Sequence, residues 1–95
     1  MHVISKRAWK DALRADPTLA GPLSSWHKAA SKSVWRSIVD VRKAYPQADF
    51  VDPYTVFNIK GGAYRLIVKI EYKWQMIFVK NLVTHAEYDR GAWKK

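Results

Sequence analysis

The spacing of apolar residues changes once, near residue 48, and that change restricts the chain to one kind of architecture. Before it, apolar residues recur at helical intervals; after it, they alternate as side chains on strands do. Ser5 reads as the N-cap of a helix to about Asp16, with Ala8, Trp9, Ala12 and Leu13 at helical spacing and Pro17 as its stop. Gly21-Pro22 opens a second helix from Leu23 to about Lys32. Leu23, Trp26, Ala29 and Ala30 share one face there, with Ser24, Ser25, His27 and Lys28 outward. A third, shorter helix runs from about Val34 to Ala44. Tyr45-Pro46 ends it, because proline pushes its predecessor out of the helical region. Residues 48–53 read as polar turn material around Phe50-Val51.

From Tyr54 onward, β-branched and aromatic residues predict strands over Tyr54–Ile59, Tyr64–Tyr72 and Gln75–Val83. Gly61-Gly62 is a two-residue hairpin turn, and Lys73-Trp74 marks the next turn more weakly. Val3-Ile4 can add an edge strand. The expectation is an α+β domain spanning residues 1–95, its N-terminal helices packed on one face of a small, mainly antiparallel sheet.

Those turns set a register, and the register sorts the side chains. Ile59 pairs with Tyr64, Asn58 with Arg65, Lys69 with Phe78 and Arg65 with Leu82. One face then holds Phe57, Ile59, Tyr64, Leu66, Val68, Ile70, Ile77, Val79 and Val83, and the helices should cover it. The other holds Tyr54, Asn58, Arg65, Lys69 and Lys80, with Val56, Ile67, Phe78 and Leu82 between them. A one-residue slip at the weaker turn would move Lys80 to the opposite face.

Charge narrows the partners. Seventeen Lys+Arg against eight Asp+Glu give +9, an excess that opposes compaction and is relieved by a polyanion. Nucleic acid fits best, ahead of an anionic membrane surface or an acidic protein. Five Trp and five Tyr among basic residues suit RNA, whose unpaired bases stack on aromatic rings. The absence of cysteine removes disulfides, a thiol nucleophile and a thiolate zinc site. No apolar run reaches the roughly 20 residues of a membrane span, and the N-terminus does not read as a signal peptide, so a cytoplasmic protein is expected.

Arg65, in the middle strand just after a turn, presents a planar fork suited to phosphate. A solvent-facing sheet is ordinarily polar in any case, so Lys69 and Lys73 also read as solvated cations. Thr84-His85-Ala86-Glu87-Tyr88-Asp89 follows the last strand. An imidazole exchanges protons near neutral pH, and Asp89 or Glu87 can orient it. The same segment also reads as a helix cap, with Thr84 at the N-cap and Glu87 completing a capping box. His2 and His27 read as incidental.

Several of these segments together resemble the HigB branch of the RelE-like toxins. They are Met1-His2-Val3-Ile4-Ser5, Val41-Arg42-Lys43-Ala44-Tyr45-Pro46, Val56-Phe57-Asn58-Ile59 before Gly61-Gly62, Tyr64-Arg65-Leu66-Ile67-Val68 and the 84–89 segment. The resemblance implies the RelE-like microbial RNase fold and a type II toxin that cuts mRNA on the ribosome. It also implies a helix-turn-helix antitoxin of the HigA type. It places Arg65, His85 and Tyr88 on the family's active-site positions, with Lys80 where a basic residue is expected. The reaction it implies needs no metal and no cofactor, because the RNA 2′-oxygen is itself the nucleophile. In that scheme Arg65 and Lys80 hold the phosphate, His85 transfers a proton, Asp89 orients it, and Tyr88 stacks on a base or assists. Tyr54, Asn58, Lys60, Lys69 and Lys73 then supply affinity for mRNA or ribosomal RNA. A non-catalytic RNA- or ribosome-binding module and a protein adaptor are the competing readings.

Overall fold

Three helical segments fill most of the first half of the chain, and side chains near their starts and stops help set their limits. The computed structural model describes residues 1–4, 6–91 and 93. The expected Ser5 cap and the Ala8 side chain lie outside the described part. A 3₁₀ turn, Lys6–Trp9, runs into α1, Lys10–Ala15. The Asp16 side chain then accepts the Thr18 N–H at 3.1 Å and starts a second 3₁₀ turn, Pro17–Leu19. This leads straight into α2, Ala20–Lys32. Pro17 therefore opens a helical segment as well as closing one, since a first-turn residue needs no N–H partner. Leu23, Trp26 and Ala30 form the buried stripe of α2, whereas Ala29 is exposed and His27 is half-buried against the Trp9 ring.

The third helix is shorter than its apolar pattern suggests. It spans Ile38–Ala44, here α3, because the Ser37 hydroxyl accepts the Val39 N–H at 3.2 Å. Val34 is left outside it and exposed. Asp40 in the first turn and Arg42 and Lys43 in the last match the helix dipole.

The sheet has five strands in the order β1-β5-β4-β3-β2. They are β1 His2–Ile4, β2 Asp49–Val51, β3 Tyr54–Ile59, β4 Tyr64–Glu71 and β5 Met76–Thr84. β1 lies parallel to β5 at one edge, and every other pairing is antiparallel. β2 was expected as turn material; it forms the other edge by pairing with β3. The β3–β4 register matches the sequence expectation, Ile59 opposite Tyr64 and Asn58 opposite Arg65. The turn between them is four residues long rather than two, with positive φ at Lys60, Gly61 and Gly62.

The β4–β5 register follows expectation only as far as Val68 opposite Val79. A bulge then shifts it, so Ile67 faces Asn81 and Arg65 faces Val83 rather than Leu82. The cause is visible in the side chains. Val79 and Leu82 both pack on the helix side, and the two residues between them, Lys80 and Asn81, are both exposed. Leu82 and Val83 consequently exchange the faces assigned to them from alternation.

The helix-covered face carries the main core. Phe57 sits at its centre, with the Trp26, Trp35 and Tyr45 rings at 5.4, 6.1 and 5.2 Å. The opposite face is not bare. After β5 the helix α4, His85–Arg90, folds back, and Tyr88 and Trp93 cover Val56, Ile67 and Val83. Gly91 makes the return by adopting φ 75°, the left-handed cap that glycine takes at little cost. Among the described residues, no helix is long and apolar enough to cross a membrane.

Candidate active site

The end of the sheet that carries the β3–β4 turn also carries the start of α4. Strand pairing sets Tyr64 opposite Thr84, and the His85 N–H donates to the Ala63 carbonyl at 3.0 Å. Thr84 caps α4 by a full capping box: its hydroxyl accepts the Glu87 N–H at 3.1 Å, and the Glu87 carboxylate accepts the Thr84 N–H at 3.0 Å. Those bonds hold the Glu87 carboxyl below its ordinary pKa. They also occupy it, which leaves Asp89 as the partner of His85. Asp89 Oδ2 lies 2.8 Å from His85 Nδ1, one helical turn away, and both side chains are more than half exposed.

Arg65 is held over the same corner. Its Nη1 donates to the Gly62 and Tyr64 carbonyls. A Cβ on Gly62, whose φ is 92°, would come within 3.5 Å of that nitrogen. The guanidinium carbon stands 5.7 Å from the centre of the Tyr88 ring. Tyr88 in turn stacks on Trp93, centres 5.1 Å apart and planes 10° from parallel. The Trp93 indole N–H donates to the Tyr88 carbonyl at 3.0 Å, and Tyr54 meets that indole edge-on at 6.0 Å. Guanidinium, phenol and indole thus form one layered stack. Burial raises the Tyr88 pKa, the Asp49 and Asp89 charges add to the rise, and Arg65 opposes it. The phenol is therefore neutral at pH 7 and able to donate a hydrogen bond.

The remaining site residues expected from sequence are more dispersed. Asn58 is opposite Arg65 and donates to Gln47 Oε1 at 2.8 Å. Lys80 is exposed on the bulge, three residues before Val83, roughly 10 Å along the strand. Lys60 turns to the helical layer, donating to Asp16 Oδ2 at 2.8 Å and the Thr18 hydroxyl at 2.6 Å. Lys69 pairs with Glu71 at 3.4 Å. Lys73 lies in the turn after β4, eight residues and roughly 26 Å along the strand direction from Arg65.

Two features escaped sequence reasoning. Trp93 forms the floor of the stack under Tyr88. Asn81 was not singled out, though the bulge exposes it beside Lys80. A signal for the second exists: two adjacent polar residues interrupt the apolar alternation of Val79-Lys80-Asn81-Leu82.

Helices on one face of a mainly antiparallel sheet, with a helical return at one corner, define a RelE-like α+β fold. The chain belongs to the HigB toxin family, the RelE-like toxic component of a toxin–antitoxin system, whose family model matches residues 19–91. Such a component has an antitoxin as its partner. Among curated proteins, the chain is 26% identical over 92 residues to the mRNA interferase toxin HigB of Escherichia coli strain K12, covering 94% of this chain and 88% of that one. It is 29% identical over 93 residues to the mRNA interferase HigB of Escherichia coli O6:H1, covering 95% and 90%.

Proposed function

We propose that this chain acts in the cytoplasm as a ribosome-dependent endoribonuclease toxin that cleaves mRNA, neutralised by a helix-turn-helix antitoxin of the HigA type. Its 95 residues serve as one catalytic domain. The RNA 2′-hydroxyl gives its proton to solvent water as its oxygen attacks the adjacent phosphorus, the bond from phosphorus to the 5′-oxygen breaks, and a 2′,3′-cyclic phosphate remains. Arg65 stabilises the charge that gathers on the phosphate oxygens, and Lys80 adds a second cation from the bulge. Asp89 accepts a hydrogen bond from His85 Nδ1–H, and the imidazolium's Nε2–H protonates the departing 5′-oxygen. Tyr88, neutral and stacked, positions Arg65 and offers its hydroxyl and ring edge to the nucleotide. Tyr54, Asn58, Lys60, Lys69 and Lys73 contribute to RNA affinity, Lys60 and Lys69 after release from their carboxylate partners.

One observation carries this reading. An exposed imidazole with a carboxylate at 2.8 Å sits on the short helix whose tyrosine underlies the Arg65 guanidinium. The likeness to proteins named mRNA interferases supports the substrate. The test is primer extension on translating ribosomes, with end-group analysis for cyclic phosphate. Wild-type protein should create new mRNA 5′ ends, and folded His85→Gln should be slower by about 10²–10⁴-fold. Cutting by His85→Gln at the parent rate would remove the proton-transfer role. Salt-sensitive ribosome binding without any new ends would instead describe a non-catalytic module.

A further inference from the structure

The opposite end of the sheet carries an exposed aromatic side chain that the cleavage reading leaves unused. Four of the five tryptophans are buried; Trp74, in the β4–β5 turn, is 66% exposed. The turn that presents it is firmly held. Gln75 adopts φ 54°, a conformation that residues with side chains seldom take. Its side-chain Nε2 donates to the Trp35 and Tyr72 carbonyls at 2.7 and 2.8 Å. The His2 N–H donates to the Gln75 carbonyl at 2.8 Å, and the Met1 amino group donates to the Ser33 carbonyl at 2.7 Å. These bonds gather residues 1–2, 32–36 and 73–75 at one end of the molecule.

The exposed chemistry of those segments is one-sided. Exposed on those segments, besides Trp74, are Lys73, Lys32, Arg36 and the 67%-exposed Val34. The Lys73 ammonium lies 5.2 Å from the centre of the Trp74 ring. None of the three segments contains an acidic residue. Their nearest sequence neighbours that do are engaged, Glu71 with Lys69 at 3.4 Å and Asp40 with the Arg36 N–H at 2.9 Å. A fixed indole among cations matches an unpaired base with phosphates on either side. An acidic peptide would satisfy the cations, but only a nucleic acid carries a π-face and a phosphate in every repeating unit.

The patch spreads from the turn onto the 32–36 loop of the helical layer, not along the outer face of the sheet toward Arg65. A strand held at the Arg65 corner therefore does not run across it. We propose that Trp74, with Lys73, Lys32 and Arg36, docks an unpaired base of ribosomal RNA at a site separate from the cleavage corner. This rests on the ribosome-dependent reading above.

The experiment is co-sedimentation of the full chain with purified ribosomes, with and without mRNA, across a salt series. Trp74→Ala should weaken binding about tenfold or more on mRNA-free ribosomes, and Trp74→Phe should retain most of it. Lys32→Ala combined with Arg36→Ala should lower the salt slope by about two. Circular dichroism and melting curves check that each variant is folded. Unchanged ribosome binding by Trp74→Ala overturns the proposal. So does a loss seen only when mRNA is present, or a loss of antitoxin binding with ribosome binding intact. The two readings fail separately. Trp74-dependent binding with mRNA left uncut would sink the nuclease and keep the dock; mRNA cut equally well by Trp74→Ala would do the reverse.

Discussion

The two faces of the sheet are built from similar residues and serve different ends. The helix-covered face holds a continuous core in which Phe57, Leu66, Val68 and Ile77 have no solvent exposure at all. The outer face holds a small cluster, Val56, Ile67 and Trp93, with Tyr54, Val83 and Tyr88 half-buried around it. Burial on the first face stabilises the fold; the second cluster is too small for that role and instead supports a stack that ends in a guanidinium. Rigid backing plus an open edge is what a site needs if charged groups are to stay hydrated until substrate arrives.

That division predicts that stability and activity separate by face. The largest effect should come from Phe57→Ala, which empties the centre of the aromatic core. It should cost about 3–5 kcal/mol in urea unfolding, and activity should fall only as the folded fraction falls. Arg65→Ala is the outer-face counterpart. It should remove about 2–4 kcal/mol of transition-state stabilisation, roughly 30- to 10³-fold in mRNA cleavage, while the melting temperature moves by only a few degrees. A large loss of stability in Arg65→Ala, or normal cleavage by it, would break the contrast.

Trp93→Ala tests the boundary between the faces. Losing the indole should cost about 1–3 kcal/mol, because it belongs to a satellite cluster and not to the main core. Cleavage should fall further than that cost explains, through kcat more than KM, since Tyr88 and Arg65 lose their floor. Trp93→Phe, which keeps a ring but not the indole N–H, should recover most of the rate. A proportional loss of rate and folded protein would reduce Trp93 to packing.

How much of this was legible depends on how local each feature is. The β3–β4 pairing follows from Gly61-Gly62 and the alternation around it, and it fixes where Arg65 lies on β4. The corner shared by Arg65 and residues 84–89 follows from the same register. The bulge at Lys80 does not, because it reflects two valine- and leucine-sized contacts with helices distant in sequence. Strand β2 is three residues long and exists only because β3 offers an edge. The Trp93 stack depends on Gly91 reversing the chain, and nothing in a short polar tail announces where that return will land. Pro17 was read as a stop, although the Asp16 side chain makes it a start.

The smallest expected effect concerns a link between the site and the helical layer. Asp16 accepts hydrogen bonds from Lys60 and Thr18, and they lower its pKa from 3.8 to about 2. Lys60 belongs to the turn whose Gly62 carbonyl receives Arg65, so this bond ties the outer-face site to the α1–α2 junction. A carboxylate with a depressed folded pKa adds stability above its unfolded pKa and loses it as pH falls through the folded value. The contribution should therefore be complete near pH 5 and fade between about pH 4 and pH 2. Asp16→Asn, which cannot titrate, should melt slightly below wild type at pH 6, and the gap should close as pH approaches 2. A gap of constant size across that range would mean the Asp16 contacts stabilise through packing and neutral hydrogen bonds rather than through the charge. In that case the turn that carries Gly62 would be positioned by the sheet alone.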